Sequence, residues 1–169
     1  MIQIARYAEG HGDAVRTLIL GIQQREFGLP LDLEAQPDLI DIRRAYGQGA
    51  SNFWVALAGR EVVGSIALLD IGNRDGALRK LFVKAPFRGA RHGVARRLLD
   101  GLLAWAEIQL LRRIYLGTHA TLIAAHRFYE KNGFRRIDRR ELPAGFPLTA
   151  MDDVFYRLQL TDERQGAVA

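Results

Sequence analysis

With 169 residues, 49% of them hydrophobic and 25% charged, the chain is long enough for one domain with a substantial core and too short for two. It has no cysteine, which excludes disulfides, thiol chemistry and cysteine-bound metal, and its four histidines (His11, His92, His119, His126) show no ligand spacing, so no metal is expected. The net charge of +5 favours anionic partners, no apolar run approaches the roughly 20 residues of a membrane span, and the N-terminal MIQIARYAEGHGD lacks a charged-then-apolar leader, so a soluble cytoplasmic protein is the expectation.

IQIARY alternates in character and predicts a first strand. Asp13 then precedes AVRTLILGIQQREF, in which Val15, Leu18, Ile19 and Ile22 recur at helical spacing, and its carboxylate is positioned to cap that helix. A loop follows from Phe27 to Pro37, and Pro37-Asp38 opens a short second helix ending near Tyr46. NFWVALAG and EVVGSIALLD read as two strands joined at Gly59-Arg60, and the turn cluster IGNRDG leads into a third strand, ALRKLFVK, making an antiparallel meander. A helix is predicted from about Gly93 to Leu110, with Val94, Leu98, Leu102, Trp105 and Ile108 on its sheet-facing side. RRIYLGT is the next strand. A shorter helix covers Ile123 to Asn132, stopped by Asn132-Gly133, because Gly tolerates the left-handed conformation there. FRRID and MDDVFYRLQL are the last strands, and their exposed edges near Met151 to Leu160 offer a surface for homodimer pairing. The whole is one domain, residues 1–160, with a frayed tail at 161–169. Several antiparallel strands followed by a strand–helix–strand crossover define an α+β (α/β) fold, with a mixed, mostly antiparallel sheet and helices on both faces.

Charge is unevenly placed. Basic residues cluster from Arg79 to Arg97 and from Arg135 to Arg140, whereas Glu26 to Asp41 holds five acids and no Lys or Arg. Within the first cluster, FRGARHGVARRLL sets glycines and arginines at the mouth of a helix. The first helical turn carries unpartnered N–H groups and partial positive charge, so small residues there allow close approach of a phosphate. An ordinary turn with a solvated basic face fits the same residues. No GK[ST] follows, so the loop is not a P-loop.

Two separated motifs decide between these readings. LFVKAPFRGARHGVARRLL resembles the strand, [QR]-x-x-G-x-[GA], helix segment of the GNAT superfamily of N-acetyltransferases, and AAHRFYEKNGF (Ala124 to Phe134) is similar to that family's A-x-x-[LF]-Y-x-[KR]-x-G-F segment. They occur in the family's order with a fitting strand between them, and the resemblance covers nearly the whole chain. The departures are specific. The loop between Gly89 and Gly93 is two residues longer than the common R-G-x-G form, the position where the family often has Asn is Leu122, and the position where an acid is common on the central strand is Arg79.

The resemblance implies an acyltransferase that moves an acetyl group from acetyl-CoA to a primary amine of a small-molecule or amino-acid-like acceptor, by direct attack in a ternary complex. It implies that the pyrophosphate is held by Arg88, Gly89, Arg91, His92, Gly93, Val94, Ala95 and Arg96, with Arg91 replacing Arg88 if the longer loop turns Arg88 away. It implies that the pantetheine arm pairs with Leu81, Phe82 and Val83, and that Ala125, Phe128 and Tyr129 complete the cofactor site. Tyr129 is the implied general acid for the leaving thiolate. The base is open among Glu26, Asp70, Asp75 and His119, with Asp70 and His119 best placed at strand ends and a water chain to a distant carboxylate as another route. Glu26 and Phe27 open the acceptor region, whose acidic segment is expected to draw a cationic amine. Two other readings remain: a non-catalytic acetyl-CoA-sensing module, and a basic nucleic-acid-binding domain, against which no RNP, helix-turn-helix or zinc signature appears.

Overall fold

Seven strands form one sheet, β1 (Ile2–Arg6), β2 (Asn52–Ala58), β3 (Glu61–Asp70), β4 (Asp75–Val83), β5 (Arg113–Thr118), β6 (Arg135–Ile137) and β7 (Val154–Gln159), in the order β1-β2-β3-β4-β5-β7-β6. The computed structural model describes residues 1–160, so the tail expected at 161–169 lies outside the described residues. Every neighbouring pair is antiparallel except β4 with β5. The period-two alternation read from the sequence sorts β2 cleanly: Trp54 and Ala56 enter the core on one face, Phe53 and Val55 the core on the other.

Helices cover both faces. On one lies α4 (Val94–Ile108), with Val94, Leu98, Leu99, Leu102 and Ala106 buried against the sheet, followed by α5 (Ile123–Lys131). Each fully buried leucine contributes about 1.5–3 kcal/mol relative to exposure. Ile108, expected on the same stripe, is instead 71% exposed, because the last turn of α4 overhangs the sheet. Trp105 is half-buried and its indole N–H donates to the Ala50 carbonyl at 2.8 Å. The other face is covered by α1 (Gly12–Gly21), whose Val15, Leu18 and Ile19 are buried, and by two single turns, α2 (Pro37–Ile40) and α3 (Ile42–Ala45).

Three local expectations are corrected. Asp13 does not cap α1: the chain enters the helix earlier, through a 3₁₀ turn at Glu9–His11, and the Asp13 carboxylate accepts from Arg16 at 2.9 Å instead. The predicted second helix is broken at Asp41, whose side chain accepts from the Arg44 N–H and restarts it as α3. Finally, β7 is no edge strand. It lies between β5 and β6, the latter covering Phe155 to Arg157 on its outer side, and the sheet ends at β1 and the three-residue β6.

Candidate active site

The sheet opens in its middle. β4 and β5 pair only through Asp75–Ala77 and Arg113–Tyr115. Beyond that point β4 continues to Val83 beside β3, and β5 to Thr118 beside β7, so the two strands part. Leu81, Phe82 and Val83 lie on the β4 side of this split; no strand pairs with their edge toward β5, although the Val83 carbonyl is taken by the Arg88 side chain. An unpaired strand edge presents N–H and C=O groups to any extended ligand laid along it.

At the end of β4 the chain makes a short 3₁₀ turn (Ala85–Phe87) and the Arg88–Gly93 loop before α4. Gly93 caps α4 in the left-handed region (φ +61°), with open space where a Cβ would project. Its own N–H and that of His92 are taken by the Gly89 carbonyl, at 3.1 and 3.2 Å. The first bond into the helix runs from Arg97 N–H to the Gly93 carbonyl, which leaves Val94, Ala95 and Arg96 at the open turn.

The arginines of this region divide their work. Arg91 is exposed and has no ion pair among the described residues. Arg96 is tied to Asp100 at 2.8 Å and to Asn132 at the end of α5 at 2.6 Å, and Arg97 to the Ile2 carbonyl at 2.7 Å. The longer loop folds Arg88 back onto the strand: its Nε donates to the Val83 carbonyl at 2.7 Å and its guanidinium pairs with Glu26 at 2.5 Å. Glu26 ends a π-helical turn (Ile22–Glu26) that continues α1, so this ion pair fastens α1 to the loop. Phe27 follows it on the surface.

Tyr129 comes to the split from α5. Its ring packs against Phe134 at 5.6 Å and Tyr156 at 5.9 Å, with half-buried Phe128 beside it and Ala125 one turn earlier against the same core. Its hydroxyl makes no hydrogen bond, yet no buried side-chain polar atom among the described residues lacks a partner, so the hydroxyl opens to solvent. Burial pushes its pKa well above the usual tyrosine value, with Asp152 and Tyr156 adding to the rise. His126 is half-buried: its ring bridges the Tyr156 hydroxyl at 2.9 Å and the His119 carbonyl at 3.0 Å.

On the opposite face of the split lies a charged group that sequence reasoning recognised only at Arg79. A bulge shifts the β3–β4 register between Ser65 and Ala67, and Lys80 sits at it with φ +56° while its carbonyl accepts from the Ser65 hydroxyl at 2.7 Å. Adjacent strand residues normally point to opposite faces; a bulge re-aims one of them. Here both Arg79 and Lys80 reach the same Asp38 oxygen, at 3.5 and 3.6 Å. Asp38 itself takes the Tyr46 hydroxyl at 2.5 Å, and Lys80 donates to Gln36 at 2.6 Å. Burial lowers the Lys80 pKa and raises that of Tyr46. Arg79 reaches Asp38 at 3.5 Å and also interacts with the Tyr46 hydroxyl.

The residues considered as bases are not gathered at the split. Asp70 pairs with Gly76 in the β3–β4 ladder, six residues from Phe82 and hence about 20 Å up the strand. Its carboxylate accepts from the N–H groups of Ala50 and Gly72, both at 2.9 Å. Asp75, at the same end, is paired with Arg113 at 2.9 Å. The His119 ring closes a local turn with Thr121 at 2.7 Å. The acidic segment is also internally matched, through Glu26 with Arg88, Asp38 with Arg79, Lys80 and Tyr46, and Asp32 and Asp41 with backbone N–H groups. The fifth acid of the segment, Glu34, is exposed.

The model of the Acetyltransferase (GNAT) family matches residues 17–134. N-acetylaspartate synthetase of Danio rerio is 33% identical over 145 residues, covering 79% of this chain and 50% of its own length. The Homo sapiens protein of that name is likewise 33% identical over 145 residues, covering 79% and 47%. The chain thus spans about half the length of the curated relatives it matches. Among solved structures, an acetyltransferase of the GNAT family from Staphylococcus aureus Mu50 superposes with a TM-score of 0.91 at 35% identity, covering 95% of this chain and all of its own. PaiA N-acetyltransferase from Thermoplasma acidophilum, solved in complex with coenzyme A, shares the fold at 15% identity, with a TM-score of 0.70 and coverage of 95% and 99%.

Proposed function

The chain belongs to the GNAT acetyltransferase family, and from that premise we propose that it moves an acetyl group from acetyl-CoA to the amine of a small acidic amino acid, by direct attack in a ternary complex. The carrying observation is the pair Arg79 and Lys80, turned to one face at the split between β4 and β5. Two cations turned to one face suit an acceptor that brings carboxylates of its own. The name shared by the curated relatives, N-acetylaspartate synthetase, points the same way.

The residues present fit the cosubstrate. The unpaired edge of Leu81, Phe82 and Val83 matches the amide-bearing pantetheine arm, and the open turn at Val94, Ala95 and Arg96, with Gly89, His92 and Gly93 before it, matches a pyrophosphate. Arg91 takes the phosphate-facing role, since Arg88 is held by Val83 and Glu26. Ala125, Phe128 and Tyr129 flank the arm from α5. Acetyl-CoA supplies the activated acyl group. The chain's residues orient the amine, exclude water and move protons. Tyr129, protonated throughout the physiological range, gives its proton to the departing sulfur.

Free-thiol release measured with aspartate, glutamate, alanine, lysine and spermidine tests this reading. The highest kcat/KM is expected with the dicarboxylic acceptors. Activity confined to cationic amines would overturn the acceptor class. Acetyl-CoA binding without thiol release from any amine would establish the sensing alternative instead.

A further inference from the structure

Apart from exposed Glu34, the acids named so far are already engaged, and two of them lie far from the split. Glu26 is held by Arg88, Asp38 by Tyr46, Asp70 by two backbone N–H groups and Asp75 by Arg113. Asp152, just before β7, makes no ion pair within 4 Å among the described residues; its carboxyl group takes hydrogen bonds from the side chain and the backbone N–H of Thr149 in its own loop, and what sets it apart is its place. Its carboxyl group occupies the place of a missing side chain: a Cβ built on Gly117 falls 2.7 Å from both its Cγ and its Oδ2. Gly117 belongs to the part of β5 that has left β4, so the carboxyl group lies beside the opening.

Arg79 and Lys80 from β4 and Tyr129 from α5 interact with it electrostatically, and it also borders a cavity lined by Arg136, Asp138, Arg139 and Asp153. Asp153, next in the chain, accepts from the Ala120 N–H at 2.8 Å. Burial raises the Asp152 pKa while Arg79 and Lys80 pull it down.

We propose that Asp152 is the general base: it receives the acceptor's ammonium beside Gly117 and removes its first proton. This rests on the acetyltransferase reading above. An acceptor held by its carboxylates at Arg79 and Lys80 still needs an anion for its amine, and Asp152 supplies one on the Tyr129 side. One ammonium proton passes to the Asp152 carboxylate. The freed nitrogen lone pair forms the C–N bond to the thioester carbon, and the C–S bond then breaks. The second nitrogen proton is lost as the amide forms, and the thiolate receives one proton by way of Tyr129. The proton on Asp152 leaves to solvent, so each turnover releases one proton, one amide and one free thiol.

The test is the pH dependence of kcat/KM for wild type, Asp152→Asn and Gly117→Ala, with each amine of the panel that reacts. For wild type, kcat/KM should be level between the Asp152 pKa and that of the acceptor amine. Asp152→Asn should lose about 10²- to 10⁴-fold near pH 7. Its rate should then rise about tenfold per pH unit toward the amine pKa, because only pre-formed free amine reacts. Gly117→Ala keeps the carboxylate but evicts it from its place, and should show the same profile. Acetyl-CoA affinity should be unchanged in both. A loss uniform with pH, or Asp152→Asn activity within threefold of wild type, would overturn the assignment. If wild type reacts only with amines outside the acidic class, the acceptor reading fails while the same profiles still decide on Asp152. A wild type that acetylates no amine overturns both.

Discussion

Arg79→Gln separates recognition of the acceptor's carboxylate from the rest of the reaction. The Arg79 side chain is 22% exposed and holds Asp38 only at 3.5 Å. After the change Asp38 keeps Tyr46 at 2.5 Å and Lys80 at 3.6 Å, so no carboxylate is stranded and the fold should persist. A hydrogen bond to a charged group is worth ~1.5–3 kcal/mol, equivalent to about 10- to 150-fold in kcat/KM. That loss is expected with an acidic amino acid and should nearly vanish with its uncharged diamide. Initial rates of thiol release on the two acceptors give the comparison, with circular dichroism melts to confirm folding. Arg79→Lys should recover only part of the loss, because an ammonium lacks the planar fork of guanidinium. Equal losses on the charged and neutral acceptors would refute carboxylate recognition at this position, as would unchanged rates.

Tyr129→Phe preserves the ring contacts to Phe134 and Tyr156 and removes only the hydroxyl. Turnover should fall by about 10²- to 10⁴-fold with calorimetric acetyl-CoA affinity unchanged, and wild-type turnover would exclude Tyr129 as the acid. Glu26→Gln breaks a partly exposed pair with Arg88, so stability should change by less than about 1 kcal/mol. Acetyl-CoA should bind several-fold more tightly, since a negative charge beside the phosphate loop is gone; weaker binding would show that the pair organises the loop. Leu102→Ala empties a fully buried position under α4, at a cost of ~2–5 kcal/mol. A calorimetric melting point lower by about 4–20 °C is expected, and a shift under 2 °C would mean that the helix is not seated as described.

Periodicity carried most of the fold. The stripe Val94, Leu98, Leu102 predicts a helix on a sheet because burial repeats with the helical turn, and it is so buried. Ile108 continues the stripe in sequence but not in space, since a periodic pattern does not say where the sheet beneath it ends. Strand order was less legible. The last long strand inserts between β5 and β6, and an alternating segment such as VFYRLQ carries no mark of its neighbours. The wrong assignment of a free edge to Met151–Leu160 follows from that gap.

The candidate site divides along the same line. What is local in sequence was readable: the glycine-bearing strand-to-helix loop, and Tyr129 in its motif. What depends on distant segments was not. The longer loop already raised the prospect that Arg88 turns away, but its pairing with Glu26 joins positions 62 residues apart, and neither segment names the other as partner. Arg79 stood out as a missing acid; its use as a cation depends on the bulge at Lys80, which breaks the two-residue period from which a side chain's face is read. Asp152 lies in MDDVFYRLQL, which reads as a strand, whereas β7 starts only at Val154. Only Gly117, lacking a side chain on another strand, gives its carboxylate a place beside the opening. The proposed acceptor chemistry therefore rests on pairs: a bulge that turns a lysine, and a glycine that admits an aspartate. For that reason Gly117→Ala probes the Asp152 assignment more sharply than deleting the acid: it alters where the carboxylate sits and leaves the carboxylate itself intact.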